Sequence, residues 1–145
     1  MRIFGKSRVA AVTTAFMIVV GTAACSSGTS PDEKPTQARI EVEGTAPGPL
    51  ELVVSTDFYE DVQDGQVIQV KNSADTSFVS LPFDNTVFLT DLGSVLVELT
   101  NHADETAQVQ MRITLDNGAQ PYQRSATMSE GGSLRYVYVF LQRRL

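Results

Sequence analysis

From Ala38 onward the chain alternates apolar and polar residues with a period of two, and this alternation sets the expected fold. Ile40 and Val42 are interleaved with Arg39, Glu41 and Glu43, the pattern of a strand with one buried face. The stretch Gly44-Thr-Ala-Pro47-Gly48-Pro49 must then turn, because neither proline has an N–H to give to a ladder. Leu50, Leu52 and Val54 mark a second strand over residues 50–56. Residues 57–65 read as an acidic loop, residues 66–71 as a third strand through Val67, Ile68 and Val70, and residues 72–76 as a turn. Short strands over 77–81 and 85–90 flank Pro82, which predicts an edge or a crossing between sheets. Residues 94–101, with Val95, Val97 and Leu99 on one face, read as a central strand.

The clearest hairpin follows. Val109, Met111, Ile113 and Leu115 alternate with polar residues, and Asp116-Asn117-Gly118 then tolerates the left-handed backbone of a tight turn. With Asn117 and Gly118 central, Ile113 stands opposite Tyr122 and Met111 opposite Arg124. Pro121 predicts that the second arm is an edge strand. Gly131-Gly132 turns the chain again. Residues 133–141 then place Leu134, Tyr136, Tyr138 and Phe140 on one face and Val137 and Val139 on the other, so both faces are expected to be partly buried. No stretch after Cys25 shows helical spacing, and turn signals recur about every 8–12 residues. The expected fold is all-β, an antiparallel immunoglobulin-like β-sandwich of about seven to nine strands over residues 38–145. With one cysteine and no tryptophan, the Cys…Trp…Cys core of antibody domains is excluded.

Ahead of this domain the pattern changes. Arg2, Lys6 and Arg8 form a basic leader without acids, and residues 9–24 are an uncharged apolar run closed by small residues, as in a secretory signal. The 16 residues of that run fall short of the ~20 that a membrane span needs. The next residue is Cys25, the only cysteine, and Thr22-Ala23-Ala24-Cys25 resembles the lipobox of bacterial lipoproteins, with Thr22 where that family most often has Leu. The resemblance implies diacylglyceryl transfer to the Cys25 sulfur, with palmitate-class acyl chains, and cleavage before Cys25. It also implies a protein lipid-anchored at the extracytoplasmic face of the cell membrane. Residues 26–37 carry two prolines and no large apolar side chain and read as a disordered tether. The expected division is therefore a signal peptide over 1–24, lipidated Cys25 with a flexible tether over 25–37, and the sandwich from residue 38.

Composition narrows the function classes. Removing the leader from 145 residues leaves 121, enough for one domain, and with Cys25 spent on lipid no disulfide can staple it. The leader holds three basic residues, so the remainder has 8 basic against 17 acidic, a formal charge of −9. That balance argues against nucleic acid as a partner and against lying flat on anionic lipid.

Candidate chemistry is sparse. His102, the only histidine, sits in the polar turn Asn101-His102-Ala103-Asp104-Glu105 and reads as a solvated side chain rather than a general base. No phosphate loop, nucleophile elbow or Cys/His metal spacing occurs, so neither a catalytic residue nor a cofactor is expected. Asp57, Glu60, Asp61 and Asp64 form a weak calcium candidate whose spacing differs from an EF-hand's; a solvated, self-repelling loop is the plainer reading. Phe58 and Tyr59 within that loop, and Phe78, Leu81 and Phe83 around Pro82, are the candidate contacts for a partner or an apolar ligand.

Ser80-Leu81-Pro82-Phe83, then Arg112-Ile113-Thr114-Leu115-Asp116-Asn117-Gly118 and Ser125-Ala126-Thr127, resemble the periplasmic domain of the mycobacterial small membrane proteins (MmpS). The resemblance covers about residues 38–140. It implies an actinobacterial β-sandwich that acts beside a large lipid or siderophore exporter without catalysis, although that family has a membrane helix where this chain has the lipobox. The expectation is a lipid-anchored, non-catalytic envelope lipoprotein whose domain binds or assists an envelope protein, possible transporters included. The second reading is a carrier for an apolar ligand such as a lipid or glycolipid. An apolar cavity of roughly 300 Å³ or more would mark the carrier, and a filled core with an exposed apolar edge the accessory role.

Overall fold

The structure is a computed structural model that describes residues 33–140. The signal-peptide reading of residues 1–24, Cys25, the start of the tether and Leu141 lie outside the described residues. Eight strands follow in order: β1 (Gln37–Thr45), β2 (Leu50–Gln63), β3 (Gln66–Val79), β4 (Phe83–Phe88), β5 (Val95–Thr100), β6 (Ala107–Leu115), β7 (Tyr122–Met128) and β8 (Ser133–Tyr138). They pair antiparallel in two four-stranded sheets, β4-β1-β6-β7 and β3-β2-β5-β8. The fold is the all-β sandwich that the alternation predicts. Its strand order differs from an immunoglobulin domain's, where the first two strands share a sheet; here β1 and β2 lie in opposite sheets.

Period-two alternation puts the apolar side chains of each strand on one face, and the two faces meet. Ile40, Val42, Met111 and Ile113 from the first sheet pack with Leu50, Leu52, Val97, Leu99 and Leu134 from the second. Each such side chain stabilises the fold by about 1.5–3 kcal/mol when fully buried, so this stripe dominates stability. β5 is an interior strand, and the chain crosses from one sheet to the other between β3 and β4, at Pro82, both as expected. In β8, Tyr136, Val137 and Tyr138 are all half-buried, so both faces are partly covered.

The β6–β7 register pairs Met111 with Arg124 and Ile113 with Tyr122, and β7 is an edge strand, as the pattern predicts. The turn is not of the tight two-residue kind, because Gly118 (φ 75°) has positive φ and Asn117 does not. The register survives because a one-residue slip would send every inward side chain to solvent.

Two expectations fail together at the second hairpin. Residues 57–65 are not a loop and 72–76 are not a turn, for β2 and β3 are each 14 residues long. They are joined by Asp64-Gly65, with φ of 51° and 79°, the pair of positive values that a type I′ turn requires. Two register shifts, between Val54 and Asp57 and between Asp57 and Phe58, add one residue to β2 and then one to β3. β2 pairs with β5 only as far as Ser55 opposite Leu96, so the strands beyond the shifts form a two-stranded ribbon. Bulges bend strands, and Lys71 at the ribbon's base reaches Glu98 on β5 at 3.6 Å. Phe58, opposite Lys71, and Leu96 are accordingly buried (6% and 0% exposed) although neither belongs to the inter-sheet core.

The tether is also shorter than expected. Gln37 opens β1, and Asn117 Nδ2 donates to Glu33 O at 2.8 Å while Thr36 N donates to Asp116 Oδ1 at 2.8 Å. Residues 33–36 are thus held by polar groups against the β6–β7 turn.

Candidate functional site

The strands place the candidate residues at opposite ends of the sandwich. One end gathers the start of β1, the end of β4, the start of β5 and the β6–β7 turn, and the ribbon leaves the body there. The other end gathers the β1–β2, β3–β4, β5–β6 and β7–β8 connections. Phe58 and Tyr59 belong to the first end; Phe78, Leu81, Phe83 and His102 belong to the second. The sequence-predicted contacts therefore do not form one surface.

At the second end the residues differ in availability. Leu81 and Phe83 pack against the core, whereas Phe78 is 67% exposed on edge strand β3. Phe78 stands opposite Glu51 on β2, and Glu51 Oε2 lies 2.6 Å from His102 Nε2. The Phe78 and His102 rings are 6.5 Å apart between centroids and tilted by 57°. His102 is thus a bridge between the β5–β6 turn and β2, beside an exposed aromatic ring. Its neighbours are the Glu51 carboxylate and the Phe78 ring.

Directly behind this end lies Asn101, 1% exposed. Its Nδ2 donates to Glu105 O at 2.8 Å and Met128 O at 3.1 Å, and its Oδ1 accepts from Ala103 N at 3.1 Å. One buried amide therefore ties the turn that carries His102 to β7. Sequence reading passed over this asparagine, since its partners are backbone groups up to 27 residues away.

At the first end the four ribbon carboxylates are used separately. Asp57 accepts from Asn72 Nδ2 at 2.9 Å, Glu60 from Gln69 Nε2 at 3.3 Å, and Asp61 Oδ1 from Val62 N at 2.9 Å. Asp64 sits in the turn. Pairing puts Glu60 and Gln69 on one face of the ribbon and Asp61 and Ile68 on the other. Among the described residues, no three His, Cys, Asp or Glu are grouped to hold an ion. Tyr59, Val62 and Val67 are 51%, 66% and 59% exposed.

Clefts lie on the sheet faces and edges. A groove of about 450 Å³ and another of about 240 Å³ adjoin at Glu43 and Gln110 on the outer face of the first sheet, where Gln108, Arg112, Gln123 and Ser125 also face them. A cleft of about 310 Å³ between the β2–β3 ribbon base and β4 is lined by Val54, Val87 and Phe88, but also by Thr56, Ser73, Asp75 and Thr86. On the same outer face Arg39 forks onto Asp84, with Nε to Oδ1 at 2.9 Å and Nη2 to Oδ2 at 2.6 Å. The hydrogen bond from Arg39 holds the Asp84 carboxyl below its ordinary range. Both groups are solvent-exposed, so the pair contributes little to stability. Among the described residues no helix is long and apolar enough to cross a membrane. Comparisons with protein-family models, with curated proteins and with solved structures find no match.

Proposed function

We propose that this chain is a lipid-anchored, non-catalytic lipoprotein of the extracytoplasmic face of the cell membrane, acylated at Cys25, whose sandwich engages an envelope membrane protein. The contact is the end that carries Phe78, and a transporter is the partner class that the MmpS resemblance implies. The observation that carries this reading is Phe78 itself, a large aromatic side chain 67% exposed on an edge strand. His102 and Glu51 beside it supply a polar rim. An exposed aromatic anchor within a polar rim suits a protein partner, and burying it contributes about 1.5–3 kcal/mol. The carrier reading has less support: the inter-sheet side chains are packed at 0–7% exposure, and the 310 Å³ cleft is an edge feature with a mixed lining.

Affinity capture of the lipidated protein from detergent-solubilised membranes tests the reading, with Phe78→Asp and Cys25→Ala as companions. The expected result is a membrane protein recovered with the parent chain and lost with Phe78→Asp. Recovery that Phe78→Asp leaves unchanged, or lipid as the sole co-purifying species, refutes it.

A further inference from the structure

We infer that the ribbon end of the sandwich rests on the lipid bilayer, with the Phe78 end directed away from it; this rests on acylation of Cys25 as proposed above. Residues 33–36 fix where the chain enters the fold. Besides the bonds from Asn117 and Asp116, Leu89 N donates to Thr36 O at 2.8 Å and Lys34 Nζ to Asp91 O at 3.2 Å. Pro35 is fully buried. Gly93 completes the seat, since a Cβ there would stand 2.5 Å from Lys34 Cγ.

Cys25 precedes Glu33 by eight residues, which span at most about 28 Å when fully extended. β1 alone, with nine residues, makes the body about 30 Å tall at ~3.3 Å per residue. Turning the domain over, so that the Phe78 end met the bilayer, would require the tether to run the whole height of the body. Only a fully stretched tether approaches that height, whereas a flexible coil of eight residues spans roughly 16 Å. The end where residues 33–36 are seated therefore stays nearest the bilayer.

That end exposes apolar side chains at the level of the seat and beyond it. Leu92 in the β4–β5 connection is 52% exposed and Phe88 at the end of β4 is 76% exposed. The ribbon adds Tyr59, Val62 and Val67, and its base is tied to the same connection by Thr90 Oγ1 donating to Thr56 O at 2.8 Å. Asp57, Glu60, Asp61 and Asp64 on the ribbon outnumber Lys71. The matching surface is thus zwitterionic lipid, and added anionic lipid should weaken the contact in a salt-dependent way.

The chain has no tryptophan, so single tryptophans report position without background. The acylated protein, reconstituted into phosphatidylcholine vesicles containing brominated lipid, is compared as Leu92→Trp, Val67→Trp and Phe78→Trp; all three positions are exposed, so none of the three rings has to enter the core. The expected result is strong quenching and a blue shift at positions 92 and 67, none at 78, and less quenching when anionic lipid is added. Quenching at 78 equal to that at 92, or no quenching at 92 and 67, overturns the inference. A second arm couples the thiol of the unprocessed chain, which has only Cys25, to a maleimide-headgroup lipid. Orientation is then read whether or not the native protein is acylated, which separates failure of this inference from failure of the anchoring proposal.

Discussion

Replacing Asn117 with alanine removes the side chain that seats the entering segment. Asn117 is 2% exposed; its Nδ2 donates to Glu33 O at 2.8 Å and lies 3.4 Å from Tyr138 Oη, and its Oδ1 accepts from Ala119 N at 3.2 Å. The bonds to Glu33 and Ala119 contribute about 1 kcal/mol each, and stranding the Ala119 N–H adds up to another 1 kcal/mol or so. The Tyr138 contact is too long to count for much. The expected loss is therefore about 2–3 kcal/mol, which at a slope of about 1–2 kcal/mol/M lowers the urea midpoint by about 1–3 M. Asn101→Ala removes a comparable set of bonds at the far end and should cost about as much. Amide hydrogen exchange separates the two. The Thr36 amide, which donates to Asp116 Oδ1, loses protection in Asn117→Ala and keeps it in Asn101→Ala. An unchanged midpoint and unchanged Thr36 exchange in Asn117→Ala, or release of Thr36 by Asn101→Ala, would refute the reasoning.

Other outcomes follow from single positions. Gly44→Ala should cost about 3 kcal/mol or more in denaturant unfolding, because Gly44 has φ 128° and a Cβ there would lie 2.1 Å from Gln108 O. Burial, with Tyr138 and Tyr122 close by, pushes the Tyr136 hydroxyl up to about 12. The unfolded chain gives up that proton near pH 10, so stability falls as pH rises from about 10 towards 12, and tyrosinate absorbance should show one late-ionising group that Tyr136→Phe removes. Burial raises the Asp116 carboxyl, but hydrogen bonds from the Thr36 hydroxyl and the Thr36 and Gln37 amides outweigh it and hold the group below its usual range. Its contribution is present above about pH 4 and is lost as pH falls through the lower folded value; Thr36 exchange should quicken only in that acid window, and Asp116→Asn should show quickened exchange already at neutral pH.

Sequence reading succeeded where local pattern and tertiary demand coincide. The β6–β7 register was legible because Met111 and Ile113 alternate strictly and a Gly-containing turn follows; the inward face then fixed the pairing even though the turn type differed. The ribbon was missed although Asp64-Gly65 is a strong hairpin signal. The charges at Asp57, Glu60, Asp61 and Asp64 were weighed as loop composition, when alternation along the ribbon spreads them over two solvated faces. The seat of residues 33–36 was illegible for another reason: its one apolar side chain, the buried Pro35, reads in sequence as a tether residue, and the groups that hold the segment by hydrogen bonds are 80 and 84 residues distant. The same holds for His102 and Glu51, 51 residues apart: the histidine is exposed as expected, and its contact with Glu51 beside Phe78 is what the sequence does not show.

The measurement that bears most directly on the account is intact-mass spectrometry of the protein extracted from its native envelope. Anchoring through Cys25 predicts a chain that begins at Cys25 and carries the mass of a diacylglyceryl group on its sulfur, with or without a further acyl chain. A chain that starts elsewhere, or a Cys25 with a free thiol, would contradict it.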